Sequence, residues 1–289
     1  MDHQKLNNLL LDVSHSGQDP AGKEYRFLSL ETTAELAVEF KITGSEIELA
    51  ALQLDIIPER YQRNIGTIGA TGQRKLLQSA VTVVGNGGLG GFVIEMLARM
   101  GVGRIIAIDG DCFADSNLNR QLLATEKNLG QSKAQAAAER VTLVNSSTIV
   151  DSYHLIGTEK NLPPLLKDCN LVIDCLDNLP SRFDLEKVCS RLNLVLVHGA
   201  IAGMLGQIAV IRPGKPLLES IYGSITESGM TRGVEVQLGN PATTPAMLAA
   251  WQVSEAVKYL VGLDGVLPEN ILLIIDMQTA EAYKIEVAN

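Results

Sequence analysis

A glycine-rich turn lies between two regular segments of the sequence. Residues 85 to 90 read Gly-Asn-Gly-Gly-Leu-Gly, after a β-branched run and before an amphipathic stretch. Glycine allows a tight turn and a close approach of the backbone to phosphate, and a helix N-terminus offers free N–H groups and the positive end of its dipole. The pattern therefore predicts a nucleotide phosphate site, with a purely structural turn as the alternative. The predicted contacts are Gly85, Gly87, Gly88, Leu89 and Gly90.

The carboxylate that could bind a ribose is Asp109, which ends the next β-branched run. It follows Gly90 by about 19 residues, the spacing at which dinucleotide-binding folds place a ribose carboxylate. Because NAD and ATP both contain ribose, Asp109 indicates a nucleotide and does not choose between them. A carboxylate that only caps a turn is the alternative.

A cluster of polar and cationic residues after Asp109 favours triphosphate chemistry. The chain reads Asp-Gly-Asp from residue 109, Ser-Asn-Leu-Asn-Arg-Gln from residue 116 and Gly-Gln-Ser-Lys from residue 130. Arginine can bind phosphate oxygens through two hydrogen bonds and lysine supplies a compact charge, so both offset the charge that develops when pyrophosphate leaves. An NAD-dependent oxidoreductase, the main competing function, leaves Asn117, Arg120 and Lys133 without a role. Surface cations without function are the plainer alternative.

A doubly wound α/β fold is predicted to position these residues. Short β-branched runs alternate with helix-length amphipathic segments from residue 80 to residue 197. This alternation is typical of a Rossmann-like, mainly parallel sheet with helices on both faces. The predicted strands are Val81 to Val84, Arg104 to Ile108, Ile149 to Tyr153, Leu171 to Asp174 and Leu194 to Val197. The predicted helices are Leu89 to Met100, Lys133 to Val144, Leu162 to Lys167 and Arg182 to Leu192.

The regular alternation of predicted strands and helices ends after Val197. A strand from Gln207 to Ile211 precedes an irregular, Gly- and Ser-rich stretch over residues 213–240, which is long enough to be functional or disordered. We expect this stretch to form a long crossover-like loop, with a disordered insertion as the alternative. A helix from Pro241 to Val261 and two strands, Ile271 to Ile275 and Ala282 to Val287, then predict an antiparallel C-terminal extension.

Residues 1–59 are predicted to form a small helical appendage to the domain over residues 60–289. Thr32 to Phe40 and Ser45 to Leu54 each begin near Ser or Thr and are joined at Gly44, as in a pair of short helices. Two helices and a turn could imitate a DNA-binding motif, but the segment is acidic. Docking on the main domain or on a partner is therefore the preferred interpretation.

Composition excludes several classes of protein. The chain has 289 residues, a net charge of -9 and a pI near 5.0, which argue against nucleic-acid binding. No apolar stretch approaches the roughly 20 residues that cross a bilayer, and the start lacks a basic leader, so we expect a cytoplasmic protein without a membrane span. The four cysteines form no C-x-x-C pair, so we expect reduced thiols and no zinc.

Together these motifs resemble the ubiquitin-activating-enzyme superfamily. The resemblance is specifically to bacterial adenylyltransferases that activate molybdopterin-synthase and thiamine sulfur carriers, of the HesA, MoeB and ThiF type. Two further segments agree: Arg-Tyr-Gln-Arg-Asn-Ile-Gly from residue 60 and Asp-Cys-Leu-Asp-Asn from residue 174. The resemblance extends from Pro58 to Asn289, and the order of the motifs is more specific than any one of them.

The resemblance implies a role for each matching residue. Asp109, with Asp111 beside it, belongs to the nucleotide site, where Asp109 holds the ribose. Asp177 would bind Mg²⁺ at the end of a parallel strand, although a carboxylate that caps the following helix is the alternative. The arginine matching Arg63 reaches the γ-phosphate from the opposite subunit, which implies a homodimer. The residues implied to contact the triphosphate are Asn117, Arg120 and Lys133.

The implied reaction is attack of a C-terminal glycine carboxylate on the α-phosphorus of ATP. The carboxylate would belong to the Gly-Gly end of a ubiquitin-like sulfur carrier, and the products would be an acyl-adenylate and pyrophosphate. Many relatives carry C-x-x-C zinc ligands and some carry a cysteine in the long loop, but no cysteine follows Cys189. We therefore expect adenylation without covalent transfer through this chain. A non-catalytic scaffold of the same fold is a further alternative, and the sequence leaves the carrier and its pathway open.

Overall fold

The computed structural model describes residues 3–18, 21–223 and 235–287, without the side chains of residues 235 and 236. Its N-terminal part combines three helices with a small sheet. The elements are α1 (His3–Val13), β1 (His15–Gln18), β2 (Glu24–Leu28), α2 (Leu30–Phe40), α3 (Gly44–Gln53) and β3 (Ile56–Pro58). β2 pairs antiparallel with β1 and parallel with β3. The sequence predicted α2 and α3 but missed α1 and the strands, because these short strands pair mainly through tertiary contacts.

Eight strands form the central sheet, in the order β11-β10-β9-β8-β7-β4-β5-β6. They are β4 (Ala80–Val84), β5 (Arg104–Ile108), β6 (Ile149–Tyr153), β7 (Leu171–Asp174), β8 (Val195–Ala202), β9 (Leu205–Ile211), β10 (Ile271–Asp276) and β11 (Glu281–Glu286). The run from β8 to β6 is parallel, and β9, β10 and β11 are antiparallel. The predicted fold class, a mainly parallel sheet with an antiparallel C-terminal extension, is confirmed.

Helices cover both faces of this sheet. They are α4 (Gln62–Leu77), α5 (Gly88–Met100), α6 (Lys133–Val144), α7 (Leu162–Leu166), α8 (Leu179–Arg191), α9 (Leu218–Tyr222), α10 (Glu235–Leu238) and α11 (Thr243–Val261). Side chains alternate across β4: Val81 and Val83 join the core under α5 and α11, and Val84 joins the core under α7 and α8. Burial on both faces explains why these strands read as continuous apolar runs. No helix in the described ranges is long and apolar enough to cross a membrane.

The structure differs from the sequence predictions at four places. Helix α4 was missed because of its glycines, of which Gly69 has a φ of 67° and kinks the helix. Helix α8 begins at Leu179, three residues before the predicted start at Arg182. Asn178 caps the helix, and Pro180 is tolerated in its first turn. β8 continues to Ala202 because it pairs with β9. Residues 213–240 contain α9 and α10, and the part of the predicted crossover at residues 224–234 lies outside the described residues.

Candidate functional site

A cavity of about 590 Å³ opens at the carboxyl ends of the parallel strands, where the strand order reverses between β4 and β7. One side, the glycine-turn half, is lined by residues that follow β4, β5 and β6. The other side, the β8–β10 half, is lined by residues of those three strands and by Tyr222 of α9. Asp177 lies between them in sheet order, after β7. The predicted site residues that line the cavity are Gly85, Gly87, Gly88, Leu89, Asp109, Asp111, Arg120, Lys133 and Asp177.

The glycine turn brings the backbone of β4 and α5 close to its neighbours. Gly85 has a φ of 91°, and a Cβ there would lie 2.5 Å from the carbonyl oxygen of Cys175. A Cβ on Gly90 would lie 1.8 Å from the carbonyl oxygen of Gly85, so Gly90 packs the helix against the turn and does not line the cavity. At Gly88, by contrast, the nearest atom would be 3.7 Å away. The first N–H groups of α5 are thus accessible to a ligand in the cavity.

Asp109 is held by two backbone amides. Its Oδ2 accepts from the N–H of Asn86 at 2.6 Å, and its Oδ1 accepts from the N–H of Asp111 at 2.7 Å. Burial raises the pKa of the Asp109 carboxyl, while these amides and Lys133 act in the opposite direction. The contacts fix the carboxylate beside the glycine turn.

Two cations line the same cavity with different partners. Lys133 is buried as the first residue of α6, and its Nζ lies 2.9 Å from Oδ2 of Asp111, whose side chain is 69% exposed. The half-buried Arg120 donates to the carbonyl of Ser116 at 2.8 Å and to Oδ1 of Asn119 at 2.9 Å. Both cations can therefore meet an anion in the cavity without leaving a buried carboxylate unpaired.

Asp177 is exposed at the mouth of the cavity. The contact of its carboxylate within the described residues is a long one, 3.4 Å from Nδ2 of Asn178. Asn178 caps α8 by accepting from the N–H of Ser181 at 3.0 Å, so the capping role that was the alternative for Asp177 belongs to its neighbour. Mg²⁺ is typically held by one or two carboxylates plus substrate phosphates, and a free carboxylate here fits that requirement. Over the described ranges no three His, Cys, Asp or Glu residues cluster for a metal, and the absence of zinc stays a prediction.

Two further predicted residues, like Gly90, do not line the cavity. Asn117 uses its Oδ1 to accept from the N–H of Ala114 at 3.1 Å, which stabilises the turn that carries Arg120. Arg63 is exposed on α4 and does not line the cavity. Neither side chain lines the cavity of its own chain.

The motif around Arg63 also joins the N-terminal part to the main domain. The hydroxyl of Tyr61 donates to Oε2 of Glu48 at 3.0 Å and accepts from Nδ2 of Asn145 at 3.0 Å. Arg60 pairs with the same glutamate, its Nε lying 3.3 Å from Oε1. These residues are buried or nearly so, which explains part of the motif by packing.

Several polar residues of the cavity wall were not predicted as site residues. Gln121 follows Arg120, is buried, and its Oε1 has no hydrogen-bond partner among the residues that the structure describes. Arg182 lines the cavity from the first turn of α8, five residues after Asp177. Position directly after a predicted ligand was the signal for Gln121, and the start of the helix that follows Asp177 was the signal for Arg182.

Comparisons with known proteins identify the family of this chain. The chain matches the ThiF family over residues 61–289. It is 34% identical to the SAMP-activating enzyme E1 of Haloferax volcanii, over 76% of this chain and 82% of that protein. It is 31% identical to the sulfur carrier protein adenylyltransferase of Thermus thermophilus, over 74% of this chain and 82% of that protein. Adenylyltransferase and sulfurtransferase MOCS3-1 of Zea mays is 35% identical over 74% of this chain, which spans 46% of that longer relative.

A solved structure supports the same conclusion for the fold. MccB of E. coli, crystallised with ATP, superposes with a TM-score of 0.68 at 22% identity, over 80% of this chain and 72% of that chain. Two of these relatives, those from Thermus thermophilus and Zea mays, are named adenylyltransferases, so the prediction of an adenylyltransferase family is confirmed together with the resemblance drawn from the motifs. The match covers the glycine turn, the strand-end carboxylates and the cations alike, and the chain belongs to the ThiF family.

Proposed function

We propose that this chain uses ATP and Mg²⁺ to adenylate the C-terminal glycine carboxylate of a ubiquitin-like sulfur carrier. The products are a carrier acyl-adenylate and pyrophosphate. One observation carries the proposal: a single cavity gathers the glycine turn, Asp109, Arg120, Lys133 and an exposed Asp177. An NAD site has no need of two cations and an exposed carboxylate beside the phosphate turn, whereas a leaving pyrophosphate needs the cations and the Mg²⁺ that accompanies it needs the carboxylate.

Each residue in the glycine-turn half has a task in this reaction. The N–H groups at the start of α5 bind phosphate oxygens, and Asp109 accepts hydrogen bonds from the ribose. Lys133 and Arg120 offset the charge that moves onto pyrophosphate. Asp177 would hold Mg²⁺, which supplies further positive charge at the phosphates when bound. A carboxylate is already ionised at neutral pH, so the chain needs no general base.

The β8–β10 half suits an extended peptide tail. Ala200, Ala202 and Gly206 line it with small side chains. A Gly-Gly end could pass along this wall to reach the α-phosphate. The names of relatives from Haloferax volcanii and Thermus thermophilus, a SAMP-activating enzyme and a sulfur carrier protein adenylyltransferase, support a carrier of this class.

Transfer of the carrier onto a cysteine of this chain is not part of the proposal. Cys175 is the cysteine that lines the cavity, and burial raises the pKa of its thiol well above the ordinary value. A thiol that stays protonated is a poor nucleophile. The adenylate is therefore the product that leaves this site.

A homodimer is the second part of the proposal. Arg63 is exposed and lies outside the cavity of its own chain, as expected for a residue that completes the site of a second copy. Mixing Arg63→Ala with Asp177→Asn would then restore one intact site in each mixed dimer, with roughly a quarter of the wild-type activity. If the mixture is as inactive as its components, Arg63 does not act across subunits.

A cytoplasmic location completes the proposal.

The decisive experiment is ATP–pyrophosphate exchange with a panel of carriers that end in Gly-Gly. Wild-type protein should exchange label with at least one carrier, while Arg120→Ala and Asp177→Ala should abolish exchange and keep their far-UV circular dichroism. Lys127→Ala is the matched control, because Lys127 is an exposed cation in the same connection that does not line the cavity. Full activity in both site variants, or no exchange with any carrier, would overturn the proposal, and the second result would indicate a scaffold.

A further inference from the structure

A buried chain of hydrogen bonds holds Tyr222 against the central sheet. It consists of Asp174 at the end of β7, His198 in β8, Gln207 in β9, Arg182 in α8 and Tyr222, the last residue of α9. We call these five residues the Tyr222 anchor. Asp174 and His198 are 0% exposed. The reaction proposed above uses none of them, although Tyr222, Arg182 and Gln207 line the cavity.

The proton positions in the anchor follow from its geometry. Asp174 accepts from the N–H of Leu176 at 2.9 Å, and Nε of Arg182 lies 3.9 Å from its other oxygen, so both oxygens of this carboxylate face N–H donors and act as acceptors. Nδ1 of His198, 2.7 Å from Oδ2 of Asp174, is therefore the protonated ring nitrogen. Burial lowers the pKa of His198, which keeps the imidazole neutral. Its Nε2 is then an acceptor.

The hydroxyl of Tyr222 uses all of its hydrogen-bonding positions in this arrangement. It lies 2.9 Å from Nε2 of His198 and donates to it. Its oxygen accepts from Nη1 of Arg182 at 2.9 Å and from Nε2 of Gln207. A hydroxyl has one donor and two acceptor positions, and all three are filled. The hydroxyl is thus unsuited to act as a base or nucleophile, and its role is mechanical.

Helix α9 is fixed at both ends by such contacts. At its start the backbone N–H groups of Leu217 and Leu218 donate to Oε1 of the buried Glu186, at 2.7 and 3.0 Å. At its end Tyr222 is held by the anchor. Because α9 is only five residues long, it has little stability of its own, and these two attachments determine where it lies.

We propose that His198 is a positioning residue, which fixes the Tyr222 hydroxyl and so holds α9 as a wall of the β8–β10 half. The substrate whose fit depends on that wall is the carboxyl-terminal tail of the carrier, whereas the nucleotide binds in the glycine-turn half. This inference rests on the proposed function. It assigns the anchor to acceptor recognition rather than to chemistry or to ATP binding.

Steady-state exchange kinetics test the inference with a pair of conservative variants. His198→Asn keeps an N–H near Asp174 but cannot reach Tyr222, whereas His198→Gln extends an amide oxygen towards that hydroxyl. We expect Tyr222→Phe and His198→Asn to raise the KM for the carrier about tenfold, the loss of roughly one hydrogen bond, with the KM for ATP and kcat nearly unchanged. His198→Gln should recover most of the loss. If Asn and Gln behave alike, or if the KM for ATP rises as much as that for the carrier, the assignment is wrong.

Two measurements on the purified chain separate this inference from the proposed function. Nitrogen-15 NMR of labelled histidine should show a neutral His198 protonated at Nδ1, and its signal should disappear in His198→Gln. Hydrogen exchange over residues 217–223 should be faster in Tyr222→Phe than in wild type. If wild-type protein exchanges pyrophosphate with no carrier while both results hold, the proposed function fails and the anchor stands. A protonated Nε2, or unchanged hydrogen exchange, overturns the anchor itself.

Discussion

The two halves of the cavity use their polar groups in opposite ways. In the glycine-turn half, hydrogen-bonding capacity is left open: Oε1 of the buried Gln121 is unpartnered among the described residues, and the neighbouring Asp177, between the halves, is exposed. In the β8–β10 half, the Tyr222 hydroxyl has three partners. Buried polar groups that lack partners are costly unless a ligand supplies them. The glycine-turn half therefore leaves polar groups available to a ligand, whereas the polar groups of the β8–β10 half hydrogen-bond to one another and fix the shape of that wall.

The largest effect is expected where the backbone of the glycine turn is most crowded. Gly90→Ala would place a methyl carbon 1.8 Å from the carbonyl oxygen of Gly85 and force α5 away from β4. We expect the free energy of unfolding to fall by about 3 kcal/mol, measured by urea denaturation. Gly66→Ala, where a Cβ meets no atom within 4 Å, is the control and should be neutral or stabilising by up to about 1 kcal/mol. Equal stabilities would mean that the turn can relax.

The next effect should fall on nucleotide chemistry alone. Lys133→Met removes a buried cation, but its partner Asp111 is exposed and can be solvated, so the fold should survive. We expect exchange to fall by roughly 100-fold or more, with weaker ATP binding by calorimetry. Lys127→Met provides the matched comparison. If Lys133→Met binds ATP with wild-type affinity, Lys133 does not contribute to nucleotide binding.

A smaller effect should be confined to the β8–β10 half. Glu186→Gln weakens the acceptor of the Leu217 and Leu218 amides, so α9 should open more readily by about 1 kcal/mol. Hydrogen exchange over residues 217–223 measures this opening directly. ATP binding should stay unchanged, and the exposed Glu219→Gln should behave as wild type. A loss of ATP affinity in Glu186→Gln would show that the two halves are not separable.

The smallest effect is a dependence of stability on pH. Burial lowers the pKa of His198 below its ordinary value of 6.5, in surroundings that include Asp174, Arg182, Glu186 and Tyr222. Between the two pKa values the unfolded chain binds a proton that the folded chain does not, so stability falls as pH drops below about 6.5 and levels off below the folded pKa. Urea denaturation of wild type and His198→Gln over this range should show the extra loss in wild type only. If the stabilities of the two proteins change with pH in parallel, protonation of His198 does not contribute to the loss of stability.

The sequence signals of the glycine-turn half are local. The glycine pattern, the strand before it and Asp109 lie within one strand-turn-helix-strand unit, so the sequence could predict that they come together. The kinked helix α4 was missed because its glycines hide the helical pattern. α9 was missed because its cap, Glu186, lies 31 residues away in the sequence.

The sequence by itself determined the alternation of strands and helices from residue 80 to residue 197, the glycine turn after β4 and the chemical types available at the strand ends. These features depend on spacing and on the intrinsic preferences of residues. Only the tertiary structure decided that Asp177 is free while Asn178 caps the helix, and that His198, Tyr222 and Arg182 meet around one hydroxyl. The reason is physical: burial and hydrogen-bond partnership belong to groups brought together from different strands, and no local pattern records which of them will meet.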